Sequence, residues 1–257
     1  MRRIRVIPVL LLRNGDLVKT IRFANPAYVG DPINAVRIFN DKRVDELMLL
    51  DIAANPSRAA TSETLLGEIA SEAFMPVAVG GGIASLDQVE RILKLGAEKV
   101  VVNSAALDSP SLVTDIADRF GSQSVVVSMD VRRKLFGSYR VYAHSGRDNV
   151  GIDPATHARR VADAGAGEIL VTAVDREGTG TGYDLPLIRL IADAVDVPVI
   201  ANGGATSIDD FTAAVRDGHA SAVAASSMFI YQGKHRAVLI NFPDDSVLRK
   251  DFYSVIG

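Results

Sequence analysis

Pro76-Val-Ala-Val-Gly-Gly-Gly-Ile83 returns later in the chain as Pro198-Val-Ile-Ala-Asn-Gly-Gly-Ala205, an offset of 122 residues. The downstream neighbours keep that spacing: Ser85-Leu-Asp87 answers Ser207-Ile-Asp209, and Gly96 answers Gly218. Each copy reads as a buried strand, a glycine turn and the start of a helix. Glycines directly after a strand leave backbone N–H groups uncovered, and the following helix aims its positive end at the same point. A repeat of nearly half the chain implies two similar halves. Two anion cradles in matched positions imply a ligand carrying phosphate at two places.

Outward from these copies, short β-branched runs alternate with amphipathic stretches. Strands are predicted near 4–12, 46–51, 76–80, 99–103, 124–130, 168–173, 198–202 and 221–225. Each is an apolar run closed by Gly, Asp, Asn or Ser, as expected where a parallel strand is covered on both faces. Helical patterns fill the gaps: 33–39, 62–72, 86–94, 110–119, 154–164, 185–194 and 208–216. Asp31-Pro32, Ser85, Ser109-Pro110, Asp153-Pro154 and Ser207 mark starts, and Gly96, Gly165 and Gly218 mark ends. Eight strands alternating with helices in two matched halves predict an α/β fold, a single-domain (βα)8 TIM barrel over 1–257 with half-repeats at about 1–120 and 121–240. A doubly wound open sheet would leave the half-repeat unexplained. Two stretches, 13–31 and 131–151, exceed a minimal turn and fall on the C-terminal rim, where such barrels carry their chemistry. The tail beyond 230 is uneven in pattern.

Composition narrows the function classes. The 257 residues are 48% hydrophobic and 23% charged, with a net charge of −3, which argues against a coat for nucleic acid. No apolar run reaches the roughly 18 residues a membrane span requires. Met1-Arg-Arg-Ile-Arg-Val-Ile-Pro8 starts like a signal peptide but is too short, and reads as a first buried strand. The absence of cysteine excludes disulfides and thiolate metal sites and fits a cytoplasmic enzyme. His144, His157, His219 and His235 lack metal-ligand spacing, so neither metal nor cofactor is expected.

The candidate site residues lie at strand tips. Gly81 and Gly82 follow strand three, with Asn103 and Ser104 beside them at the end of strand four. Gly203 and Gly204 follow strand seven, with Ser226 after strand eight, the usual phosphate position of this barrel type. Any one glycine turn could be structural; two doublets at matched offset favour anion binding. Asp130 ends an otherwise apolar strand five and would project into the mouth as a base, or else cap the strand or pair with Arg132. Asp51 and Asp175, near the ends of strands two and six, read as pseudo-symmetric mates that either support substrate or order loops.

Over nearly its whole length the chain resembles the cyclase subunit of imidazole glycerol phosphate synthase. The matching pieces include Arg5-Val-Ile-Pro8, Gly15 to Lys19, Gly30-Asp-Pro32, Asp45-Glu-Leu47, Val79-Gly-Gly-Gly-Ile83, Phe120-Gly-Ser122, Asp175-Arg-Glu-Gly-Thr179 and Gly182-Tyr-Asp184. The resemblance implies a barrel that receives ammonia from a glutaminase subunit in a heterodimer. It also implies two phosphate sites, Gly178 and Asp175 joining the cradle residues, with Lys19 and Asp51 in substrate contact. Arg5, Glu46, Lys99 and Glu168 map onto the charged ring that gates ammonia at the barrel floor, and Glu98 onto the glutaminase docking surface.

One departure matters. The family has two catalytic aspartates, the first closing a Pro-Cys-Leu-Asp motif in strand one; here the motif reads Pro8-Val-Leu-Leu11. Leucine cannot move a proton, and general acid–base help is worth roughly 10²–10⁴-fold. Asp16 in the following loop is the nearest substitute. A retained gate with one catalytic acid missing resembles a side branch associated with surface polysaccharides, along with Leu10-Leu-Leu-Arg-Asn-Gly15 and Phe23-Ala-Asn-Pro26. That branch turns an acetamido group into an acetamidino group, with a separate ATP-using activating enzyme, and the cradles would hold the diphosphate of a nucleotide sugar. The alternatives are a working cyclase of histidine biosynthesis and a non-catalytic scaffold that activates a glutaminase. A related sugar-phosphate isomerase also uses two strand-tip aspartates, so Leu11 counts against it too.

Overall fold

The computed structural model describes residues 3–53 and 62–257. Eight strands carry the barrel: β1 (Arg5–Arg13), β2 (Leu47–Asp51), β3 (Val77–Gly80), β4 (Lys99–Val102), β5 (Val125–Arg133), β6 (Glu168–Ala173), β7 (Val199–Asn202) and β8 (Ala222–Ala225). All neighbours are parallel and follow chain order. β8 then returns to β1, with Arg5 opposite Ala222 and Pro8 opposite Ala225, and the sheet is closed. The α/β barrel architecture read from the sequence is therefore the observed one.

Seven helices connect these strands on the outside: α1 (Pro32–Asp41), α2 (Glu63–Glu72), α3 (Leu86–Lys94), α4 (Ser111–Phe120), α5 (Pro154–Asp163), α6 (Leu185–Ala192) and α7 (Ile208–Arg216). Their starts have the predicted physical basis. Asp31 and Asp153 accept from the amides of Asn34 and Thr156, each before a proline in the first turn. Ser85 and Ser207 both build capping boxes, a local feature shared by the two copies of the repeat. Two details at helix ends differ from expectation. A single-turn helix, Ser104–Asp108, precedes α4, which begins at Ser111 with Pro110 as its unbonded cap. After α7 the left-handed residue is His219 (φ 58°), not Gly218, whose small size instead lets it lie against the Ala214 carbonyl.

Strand periodicity sorts the core into two layers. One apolar cluster lies between sheet and helices; the other fills the barrel with Ile7, Val9, Leu11, Met48, Val101, Val126, Leu170 and Ile200 among others. Because side chains alternate along a strand, the same interior face extends each column in both directions. Below Ile7, Met48, Val101 and Leu170 it carries Arg5, Glu46, Lys99 and Glu168; above Val101, Val126, Leu170 and Ile200 it carries Asn103, Ser128 with Asp130, Thr172 and Asn202. Polar residues thus cap both ends of an apolar plug.

The two long rim stretches, read from sequence as loops, are ordered as sheet. Asp16–Ile21 and Ala24–Gly30 form a hairpin that extends β1, and Tyr139–Ala143 folds back on β5. The tail turns back through Asp245–Leu248 and a π-helical segment, Arg249–Tyr253, where buried Phe252 meets Phe211 of α7 edge-on at 6.0 Å. Among the described residues no helix is long and apolar enough to cross a membrane.

Candidate active site at the barrel mouth

The C-terminal mouth encloses a cavity of about 290 Å³. Asp130, Asn103, Ser128, Thr172 and Asn202 form its floor, Leu11 and Leu50 part of its wall, and Phe23 and His144 reach it from the rim hairpins. Asp130 is buried (4% exposed), and Asn103 Nδ2 donates to its carboxylate at 2.9 Å. Burial pushes this carboxyl up to about 6, opposed by the Asn103 hydrogen bond and the charge of Arg132, and assisted by Glu177. A carboxyl poised there is ionised at neutral pH yet basic enough to take a proton. Arg132 itself pairs with Asp175 at 3.6 Å, so the salt-bridge explanation for Asp130 fails.

The two glycine turns share one construction. A Cβ on Gly81 would meet the Asp51 carbonyl at 2.5 Å, and one on Gly203 the Ala173 carbonyl at 2.9 Å; both have positive φ. Only glycine fits where a turn crosses the neighbouring strand this closely. These contacts also correct the pairing of the carboxylates: the residue 122 positions from Asp51 is Ala173, and Asp175 lies two residues beyond the end of β6. Asp51 lines the cavity and accepts from the Ala53 amide at 2.9 Å. Asp175 is not among the cavity-lining residues; it accepts from the Arg133 amide at 2.8 Å and ties β5 to the loop after β6.

The cradles differ in what they leave free. Beside Gly81 and Gly82, one N–H of the Asn103 side chain goes to Asp130, and Ser104 Oγ accepts from the His144 amide at 2.9 Å with its own O–H left to donate. Beside Gly178, Gly203 and Gly204, the hydroxyls of Ser226 and Ser227 are buried without a partner. Only two further buried side-chain oxygens among the described residues lack partners, Thr20 Oγ1 and Asn202 Oδ1, and both residues line the cavity. Buried polar atoms are ordinarily satisfied, so four orphans gathered at one mouth mark a place for a ligand.

Lys19, expected to contact substrate, does not line the cavity; it is 2% exposed and pairs with buried Glu177. That ion pair, with the Arg22 amide donating to the Glu177 carbonyl at 2.8 Å, staples the rim hairpin onto the loop after β6. Glu177 borders both the cavity and the second cradle, a position sequence reading left unassigned although the residue lay within a quoted motif. Thr20 was also missed: Leu17 to Thr20 are all buried, so the hairpin lacks the polar alternation that betrays one. Asp16 is exposed opposite Arg13 at the hairpin's start, away from the cavity, and offers no replacement for the acid absent at Leu11.

At the opposite end, Arg5, Glu46, Lys99 and Glu168 come together in one ring. Arg5 pairs with Glu46 and, at 2.5 Å, with Glu168; Lys99 reaches Glu46 at 3.0 Å and Glu168 at 3.1 Å. Burial alone would lower the Arg5 pKa, but the two carboxylates outweigh it and hold it above its ordinary value. Each acid touches both bases, the arrangement that offsets the several kcal/mol of desolvation charged groups suffer here. Glu98 is exposed on the same rim, its amide donating to the Val77 carbonyl at 2.9 Å.

A family model described as "Histidine biosynthesis protein" matches residues 5–236. The chain belongs to that family. A Pseudomonas aeruginosa member, provisionally named imidazole glycerol phosphate synthase subunit hisF2, is 50% identical over 242 residues, 94% of this chain and 96% of that protein. A Leptospira interrogans member with the same kind of provisional name is 42% identical over 250 residues, 97% and 98% of the two chains. An Alkaliphilus metalliredigens member, named imidazole glycerol phosphate synthase subunit HisF without qualification, is 44% identical over 227 residues, 88% and 90% of the two chains. Within the histidine biosynthesis family, this chain stands with the cyclase subunits of imidazole glycerol phosphate synthase.

Proposed function

We propose that this chain is the ammonia-accepting synthase subunit of a glutamine-dependent amidotransferase, converting an acetamido to an acetamidino group on a nucleotide sugar for surface-polysaccharide biosynthesis. One observation carries the reading: Leu11 occupies the cavity wall where the family has its first catalytic aspartate, while Asp130 stays buried and poised near neutrality. A glutaminase subunit docked on the Glu98 rim would release ammonia at the charged ring. Neutral ammonia passes the apolar plug more readily than ammonium, because the plug lacks groups to solvate charge.

The acetamido oxygen must first become a leaving group, which is the task of a separate ATP-using enzyme. Ammonia then attacks the activated carbon; a C–N bond forms and the C–O bond to the leaving group breaks. The surplus proton on nitrogen passes to the Asp130 carboxylate. That sequence needs one base, whereas closing an imidazole ring and cleaving its precursor need proton transfers on two faces. Gly178, Gly203, Gly204, Ser226 and Ser227 would hold the diphosphate, the two serine hydroxyls having no partner within the protein.

A second reading, the imidazole-forming cyclase of histidine biosynthesis, is favoured by the names its relatives carry. Supplying purified protein with ammonium and the histidine-pathway intermediate separates the two. The wild type is expected to form imidazole glycerol phosphate at least about a hundredfold more slowly than Leu11→Asp. A robust wild-type rate, equal to or above the variant's, establishes the cyclase reading instead.

A further inference from the structure

Turn chemistry breaks down at one exposed point on the mouth rim. β5 runs past Asp130 to Arg133, three residues or roughly 10 Å further, and Tyr139–Ala143 folds back on it with Tyr139 opposite Arg133. Between them the Gly137 amide donates to the Lys134 carbonyl at 2.9 Å, closing a turn centred on Leu135 and Phe136. Turn centres ordinarily hold Gly, Pro, Asn, Asp or Ser. Here they hold two large apolar side chains, 99% and 100% exposed, so neither packs on the protein.

A second tip belongs to the same rim. After β8, Tyr231–Gln232 pairs with Ala237–Val238, and Arg236 donates to the carbonyl of Gly178, in the loop after β6, at 3.2 Å. Val238 and Leu239 are exposed there too. Residues 131–151 and 231–239 together carry seven Lys and Arg against one acid, Asp148, on a chain of net charge −3. Among the described residues only Arg132 of the seven forms an ion pair, with Asp175. Unpaired cations beside protruding apolar side chains fit a surface that is anionic outside and apolar beneath. A protein partner would need a collar of contacts around such anchors, about 800 Å² on each side. A bilayer interface takes up a bare protrusion without one.

We propose that the Leu135–Phe136 apex inserts into the headgroup layer of an anionic membrane, with Arg133, Lys134 and the Lys234–Arg236 tip set against lipid phosphates. The inference goes beyond the reaction and holds whichever product the mouth forms. Attraction is local, because charges more than about 8 Å apart are screened at physiological salt and the negative remainder of the chain lies further off. Attachment of this kind needs no spanning helix, and the described residues contain none. It turns the mouth toward the bilayer and leaves the charged ring, at the opposite end, open to a partner subunit.

The chain contains no tryptophan, so Phe136→Trp places a single fluorescent reporter at the apex. Vesicles of phosphatidylcholine and phosphatidylglycerol in equal parts are expected to shift its emission to the blue, and pure phosphatidylcholine vesicles to bind at least about tenfold more weakly. Adding Leu135→Ser should weaken binding about tenfold, and Arg133→Gln with Lys134→Gln about thirtyfold. Unlabelled wild type should float with the anionic vesicles, and Phe136→Ser at least about tenfold less. Both apolar side chains are fully exposed, so unchanged thermal unfolding of the variants separates lost binding from lost fold. Failure of the wild type to float overturns the inference, as does equal binding to neutral vesicles or indifference to Leu135→Ser. Self-association of the wild type that Phe136→Ser abolishes, seen by sedimentation without vesicle binding, overturns it in favour of a contact between copies.

Discussion

The two ends of this barrel bury polar groups in opposite ways. At the floor, four charged side chains satisfy one another in a ring, each acid touching both bases. At the mouth, four side-chain oxygens are left unpaired and Asp130 is held near 6 rather than in the ordinary carboxylate range. The difference teaches where structure and chemistry divide. A ring of matched charges can be buried with little net cost, and it fixes the lower rims of four strands. Unmatched groups cost stability unless a ligand completes them, so they gather where a ligand is due.

The sharpest way to break this comparison is Asp130→Asn. If the mouth holds the one base, ammonia-dependent product formation should fall by about 10²–10⁴-fold, while activation of a docked glutaminase persists. An unchanged rate would show that Asp130 is not the base. The same variant should be more stable than wild type at neutral pH. A carboxyl raised from 3.8 to about 6 contributes stability below the lower value and loses it as pH rises through the upper one. Replacing it by an amide should therefore gain up to about 3 kcal/mol above pH 7 and nothing below pH 4, read from denaturant unfolding at both pH values.

At the floor the sign reverses. Glu46→Ala strands Arg5 and Lys99 with one carboxylate between them, and should cost about 3 kcal/mol of unfolding free energy. A neutral result would show that the ring is solvated and does not bind the strands together. The smallest effect sharpens the contrast. Ser227→Ala removes a buried hydroxyl that has no protein partner, so stability without ligand should rise by about 1 kcal/mol while inorganic phosphate binding weakens several-fold. A loss of stability comparable to that of Glu46→Ala would contradict the division between the two ends.

Much of this was legible from residues alone because it depends on local rules. Val77–Gly80 and Val199–Asn202 are uniformly buried, and their apolar runs announce it; Ser85 and Ser207 begin helices because their hydroxyls cap the free amides. The helix before Gly218 ends where it was read, but the left-handed residue is His219, because a glycine can serve close packing as well as positive φ and sequence does not separate the two uses. The Asp51 and Asp175 pairing failed for a similar reason. Sequence spacing near an offset of 122 does not reveal that one residue closes a strand and the other lies in a loop.

By itself the sequence determined the alternation of strand and helix, the duplicated glycine turns and the leucine where an acid was expected, since each follows from residue type and near neighbours. Tertiary structure alone decided which polar groups find partners. Glu177 reaches Lys19 across 158 positions, Arg5 reaches Glu168 across 163, and the Asn103 amide is drawn to Asp130. Barrel closure sets those meetings, because only the shared interior face of distant strands brings such groups within hydrogen-bonding range and leaves Asn202, Ser226 and Ser227 with oxygens to spare.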